Sequence, residues 1–301
     1  MTINTTAIRD LLRPGLAAVF GDYPSYPAQW TELFEKHTSD KAVEIEVEMK
    51  MLGLGEIKSE GASITYDTMG QRFTTNYVHR YVGIGFIITR QAIKDNLYKS
   101  RFPLQQQALK KSLLQTKEVL GSSVFNNGFD TNFPIGDGQP VFSTAHPIDG
   151  STQSNTFSVQ SDLNETSLQD AITAIQRFRD VAGLRVMTKA RKLVVPAPLQ
   201  WTANRLLNSE FRVGTANNDE SAIYNTKAVP EGYTVNQFLT DDNAWFLLTN
   251  ADNGFKYYDR EPLEIDMYTD FDNDNLKVKG IERYSFGVSN WRAGFGSQGS
   301  T

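Results

Sequence analysis

At 301 residues, with 40% hydrophobic and 22% charged side chains, the chain can bury a core without covalent staples and has the composition of a folded protein. A formal net charge of -5 argues against a surface that reads nucleic acid, because neutralising phosphates needs clustered Lys and Arg. The absence of cysteine removes disulfides, thiolate nucleophiles and Cys-ligated zinc together. No stretch approaches the roughly 20 apolar residues that span a bilayer, and Arg9, Asp10, Arg13 and Pro14 break the only early leucines, so neither a membrane partner nor a signal peptide is expected.

The first forty residues combine a short helix expected at 6–12 with Pro14, Pro24 and Pro27 and the aromatics Tyr23, Tyr26 and Trp30. Such a segment is too aromatic for a solvated tail, so it is expected to lie on a surface, either its own domain or a neighbour. From Val43 the pattern alternates strictly. Val43, Ile45, Val47, Met49 and Met51 fall on one face, and Glu44, Glu46, Glu48 and Lys50 on the other, which reads as a strand with one apolar flank and one wet flank. A glycine-punctuated stretch carrying Leu52, Leu54 and Ile57 follows. A second strand-like segment then begins near Ile64 and runs with interruptions to Ile88, which suggests a long hairpin. Two-stranded ribbons are marginal alone and leave unpaired edges, so something must cover this one.

Thr89 can cap a helix start, and after Pro103 the residues Leu109, Leu113, Leu120 and Val124 recur at helical spacing, predicting a long amphipathic helix that ends near Gly128. An irregular stretch occupies 128–162. A second helix is expected to begin at a capping box of Thr166 and Gln169, and to place Leu168, Ile172, Ile175 and Phe178 on one stripe. Leu193 to Val195 reads as a buried strand and Leu199 to Leu207 as a third helix. Strands at 244–249, 254–258, 263–268 and 276–288 complete an α+β order with no βαβ cadence.

Chemistry finds little support in these residues, and no cofactor is implied. The glycines at 294, 296 and 299 match the letters of a dinucleotide fingerprint, but the helix that would hold a pyrophosphate is missing. Asp270, Asp272 and Asp274 resemble the start of a calcium loop, yet Asn275 and Ile281 stand where Gly and a bidentate Glu are required. His37, His79 and His146 lack metal-ligand spacing. A hydrolase would have to use Ser143 and His146 with Asp137 or Asp149, in a stretch that lacks a nucleophile elbow and reads as a solvated loop.

The strings GDGQPVFSTAHP (136–147), KLVVPAPLQWTANRLLNS (192–209), AWFLLTN (244–250) and the closing YYDREPLEIDMYTD and IERYSFGVSNWRAGFGS resemble the Mu-like major head subunit family of tailed phages. The resemblance implies the HK97-type capsid fold. It places an N-terminal arm at 1–42, an extended hairpin loop at 43–88, a peripheral domain at 89–189 with its spine helix at 101–127, an axial domain at 190–250, and return strands with a C-terminal tail at 251–301. It also implies a non-enzymatic major capsid protein, assembled in the host cytoplasm into pentamers and hexamers of an icosahedral virion shell. Portal, scaffolding and decoration proteins are its implied partners, and packaged DNA would be a non-specific content. The expected contacts between copies are Tyr26, Trp30, Val43, Ile45, Val47, Met49, Met51, Leu52, Leu54 and Ile57. The alternatives are an encapsulin-like nanocompartment shell, a tail or baseplate protein, and the Ser143/His146 hydrolase.

Overall fold

The computed structural model describes residues 28–95, 98–212 and 219–300. The short helix expected at 6–12, and Tyr26, lie outside them. In chain order the strands are β1 (Glu35–Thr38), β2 (Val43–Lys50), β3 (Gly70–Val78), β4 (Arg80–Ile88), β5 (His146–Ile148), β6 (Ser151–Gln153), β7 (Ala190–Val195), β8 (Tyr233–Val235), β9 (Trp245–Thr249), β10 (Phe255–Thr269), β11 (Leu276–Val288) and β12 (Gly294–Ser297). The helices are α1 (Arg90–Lys94), α2 (Tyr98–Asn126), α3 (Glu165–Gln176), α4 (Gln200–Asn208) and α5 (Ala222–Asn225). One sheet has the order β1-β10-β11-β4 and the other β12-β9-β7-β8, while β2 and β3 form a separate ribbon and β5 and β6 a small hairpin.

The 29-residue helix α2 ties the two sheets together. Leu109 and Leu113 on its inner face are buried. They press on β11 at Gly280, where an added Cβ would come within 2.8 Å of Leu113 Cδ1 and push the leucine ends aside, so the glycine lets the helix seat closely. Near the helix end, Phe125 is fully buried. Its ring stacks on Phe255 of the first sheet at 4.9 Å and meets Phe246 of the second at 5.2 Å. A second core fills the other face of the β12-β9-β7-β8 sheet, where Leu193, Trp245, Leu247 and Phe295 meet Leu168, Ala171 and Ile175 of α3 and Ala203 and Leu207 of α4. Strand β9 is thus buried on both faces, which explains its unbroken apolar sequence.

Several boundaries differ from the sequence expectations for local physical reasons. Helix α3 is capped by Asn164, not Thr166. Asn164 Oδ1 accepts from the Ser167 amide at 2.9 Å, and Ser167 Oγ accepts from the Asn164 amide at 3.0 Å, a reciprocal box two residues earlier. The segments 254–258 and 263–268 form one strand, β10, whose register slips on either side of Glu261. That slip accommodates Pro262 beyond the reach of β1, which pairs only as far as Asp259. The segment read as one strand from Ile64 to Ile88 divides at His79: β3 pairs with β2, whereas β4 pairs with β11 along its whole length.

Trp30, expected among the contacts between copies, is instead a core residue of its own subunit. It packs on Tyr257 with ring centroids 4.3 Å apart and edge-on against Phe286. The Glu118 carboxylate of α2 accepts hydrogen bonds from the backbone amides of Gln29 and Trp30 at 2.8 and 3.0 Å. Burial raises the pKa of Glu118, and those two amides oppose the rise. Replacing Glu118 with Ala orphans both amides and is expected to cost about 2 kcal/mol of unfolding free energy, with Glu118→Gln losing less because an acceptor oxygen remains. Urea unfolding measures both variants, and wild-type stability of Glu118→Ala would contradict the anchoring role.

Candidate subunit-contact surface

The β2–β3 ribbon is amphipathic in the inverse of the usual sense. The acidic flank of β2, read from sequence as the wet side, faces the protein's own body. Glu46 accepts from Lys256 Nζ at 2.5 Å and from the Tyr258 hydroxyl. Glu48 accepts from Arg292 Nη1 at 3.0 Å. Glu44 accepts from Ser39 Oγ at 2.8 Å and pairs with Lys41. Lys50 reaches Asp149 at 2.6 Å. Lys256 and Arg292 are both buried. Leaving either cation without its carboxylate would strand a charge in the interior, a penalty of several kcal/mol that exceeds what burying one apolar side chain recovers. The cations therefore decide which way the ribbon faces.

The consequence is an apolar flank turned outward. Ile45 is 61% exposed, Val47 39% and Met49 41%, while Val43 is half-buried. Beyond β2 the exposure continues through Met51 and Leu52 to Leu54 at 81% and Ile57 fully open. Val78, opposite Val43 on β3, is exposed as well. Apolar exposure of this extent is unusual for a subunit that stands alone in water. Of the expected contacts, this strip brings together the residues from Val43 to Ile57; Trp30 is removed from it by burial.

His79 sits at the joint between β3 and β4, buried between two serines. Its Nε2 lies 3.1 Å from Ser39 Oγ and its Nδ1 3.0 Å from Ser285 Oγ. Burial lowers its pKa, the Arg283 and Arg260 charges lower it further, and Glu44 opposes them. Burial by itself raises the pKa of Glu46, but the hydrogen bonds from Lys256, Ser289 and Tyr258 outweigh it and the net direction is down.

The Ser143/His146 arrangement does not form a nucleophilic pair. His146 is fully buried. Its Nδ1 contacts Asp137 at 2.6 Å and its Nε2 contacts Asn155 Oδ1 at 3.1 Å. The orientation of Asn155 is fixed: its Nδ2 donates to the carbonyls of Val141, Trp291 and Gly294, and its Oδ1 accepts from the Ser143 amide. His146 Nε2 must therefore donate to that oxygen, which leaves no free ring nitrogen to take a proton from Ser143. The Ser143 hydroxyl turns to Gln139 instead, at 3.3 Å. What was read as a solvated loop is a buried polar joint, stacked on Trp291 at 4.6 Å, that ties 137–155 to the C-terminal strand. Asn155, its central residue, carries no signal in the sequence.

Asp270, Asp272 and Asp274 lie in the turn from β10 to β11, where Asp270 pairs with Lys277 and its amide donates to Asn275 O at 2.9 Å. Among the described residues no group of three or more His, Asp or Glu side chains could hold a metal ion. No helix among them is long and apolar enough to cross a membrane.

The profile of the phage capsid protein family matches residues 73–296. The chain belongs to that family. No curated protein matches the sequence. Among solved structures, the capsid protein of the bacteriophage PhiM1 mature capsid aligns with a TM-score of 0.59 at 11% identity, over 91% of this chain and 88% of that one. The bacteriophage JBD30 procapsid protein aligns at 0.55 and 14% identity, over 99% and 77%. A virus-like particle protein from Pyrococcus furiosus aligns at 0.51 and 8%, over 96% and 98%. The fold is thus of the HK97 type, and the capsid protein is a structural component of the virion. The family match favours a phage head over the nanocompartment shell.

For the capsid protein's ribbon, the two pKa directions define an acid response. The folded values of His79 and Glu46 lie below their ordinary values of 6.5 and 4.5. Each group's contribution to stability is therefore complete above its ordinary value and is lost as pH falls through the folded one. Urea midpoints are expected to fall in two stages on acidification from about pH 8. His79→Gln, whose amide can stand in for Nε2 at Ser39 but carries no titrating ring, is expected to lack the first stage. A pH profile of His79→Gln that overlays the wild type would contradict this assignment.

Proposed function

We propose that the capsid protein self-assembles into pentamers and hexamers of an icosahedral shell around double-stranded DNA, with each ribbon covering a neighbouring copy, and that it catalyses no reaction. The observation that carries this reading is the outward apolar flank of Ile45, Val47 and Met49, which the described residues of its own subunit leave exposed. Covering that strip with other copies in closed rings hides it without generating open fibres. Within the family, the Mu-like major head subunits are the subgroup supported by the strings at 136–147 and 192–209. Assembly takes place in the host cytoplasm, where scaffolding, portal and decoration proteins are the natural partners of such a subunit.

The contacts assigned between copies are Val43, Ile45, Val47, Met49, Met51, Leu52, Leu54 and Ile57. Ile45→Asp and Val47→Asp put a charge on a surface that is already wet in the free subunit, so each is expected to change subunit stability by no more than about 0.5 kcal/mol. Closed particles, counted by negative-stain microscopy, are expected to disappear in both. Particles forming at wild-type yield from the doubly substituted protein would overturn the reading.

A further inference from the structure

Among the described residues, two stretches of backbone have no ladder partner on one side, and they match each other. The first is β4, the outer strand of the β1-β10-β11-β4 sheet. Its nine residues pair with β11 on one side only. Between Arg80 and Arg90 it carries no acidic residue, lysine or proline. Tyr81 is 64% exposed and Ile87 57%. Proteins ordinarily protect such an edge with charge, proline or a covering element.

The second is the ribbon tip between β2 and β3. Residues 51–69 are exposed throughout and belong to no strand. Yet Ile64, Tyr66 and Thr68 alternate with Thr65 and Asp67, residues that mostly favour strands. The tip is held by side chains, Asp67 accepting from the Gly53 amide at 2.8 Å and Glu56 from Thr65 Oγ1 at 2.8 Å. A strand-forming segment without a ladder is waiting for a template. The tip carries Glu56, Glu60 and Asp67 against the single Lys58, and Arg80 opens β4, whereas Arg90 beyond its other end pairs with Asp274.

We infer that residues 64–69 of one copy add as a fifth strand to the free edge of β4 in the next copy, extending its sheet across the subunit boundary. The inference rests on the assembly reading above and goes further, naming the receiving strand and making the contact a backbone ladder rather than apolar packing alone.

Hydrogen exchange of the β4 amides, compared between free subunits and assembled particles, tests it. Amides of 80–88 that point away from β11 are expected to slow at least about tenfold on assembly. A proline scan supplies the second measurement. Successive residues of an added strand point their amides alternately toward and away from the template, so Thr65→Pro and Tyr66→Pro are expected to differ, one abolishing particles and the other sparing them. Neither breaks a ladder in the free subunit, and Thr65→Pro gives up only the exposed hydrogen bond to Glu56, so the urea midpoint of both free variants is expected to stay close to that of the wild type. Particles that form with the β4 amides exchanging as in the free subunit, or with both prolines tolerated, would overturn the added strand while leaving the shell reading intact. Absence of particles from the wild-type protein under all conditions, scaffold included, would overturn both.

Discussion

The orientation of one strand depends on two buried cations. Lys256 in β10 and Arg292 beside β12 sit below the ribbon with little solvent to stabilise them, and Glu46 and Glu48 are their counterions. Because side chains alternate along a strand, satisfying those charges forces Ile45, Val47 and Met49 to the opposite side, into water. Burial of Arg292 lowers its pKa, and Glu48 restores part of the difference, so the pair is coupled as well as close. A ribbon free to choose by hydrophobicity alone would turn over. In this protein electrostatics inside the subunit leaves an apolar surface to be covered from outside.

The rest of the fold is a packed body on which the ribbon is mounted. Phe125 joins both sheets through its ring contacts, and the His146–Asn155–Asp137 joint fixes the 137–155 segment to the C-terminal strand. The loop before it presses on the ribbon's base, since an added Cβ at Gly136 would come within 2.4 Å of Thr75 Oγ1. Against this fixed body the ribbon bends at His79, where one continuous run of chain leaves the ribbon and enters the β4–β11 pair. Rings of two sizes require that kind of division between an invariant body and an adjustable contact.

Much of this was legible in the sequence where pattern and burial act together. The alternation at 43–51, the helical spacing of Leu109 and Leu113, and the unbroken apolar run of β9 each report a face against a core, and each element formed where expected. The direction in which β2 faces was not legible. Its partners Lys256 and Arg292 lie more than two hundred residues away, and nothing local distinguishes a wet carboxylate from a buried counterion. Trp30 was misplaced for a similar reason: its anchor, Glu118, lies on a helix distant in the sequence. Asn155 was missed because a fully bonded amide in a buried joint looks, in sequence, like any loop asparagine. Family-specific strings supplied the fold and the structural role, whereas the site emerged only from long-range pairing.

Another copy of the chain is expected to shelter the outward flank of β2. Met49 and Met51 lie on that flank and are 41% and 56% exposed in the subunit. Dilute peroxide oxidises methionine according to its exposure, and peptide mass spectrometry reads each position separately. Oxidation of Met49 and Met51 is expected to slow several-fold when subunits are assembled into closed particles, relative to the same protein kept unassembled. Equal rates in the two states would mean that the flank remains wet in the shell, and the account would be contradicted.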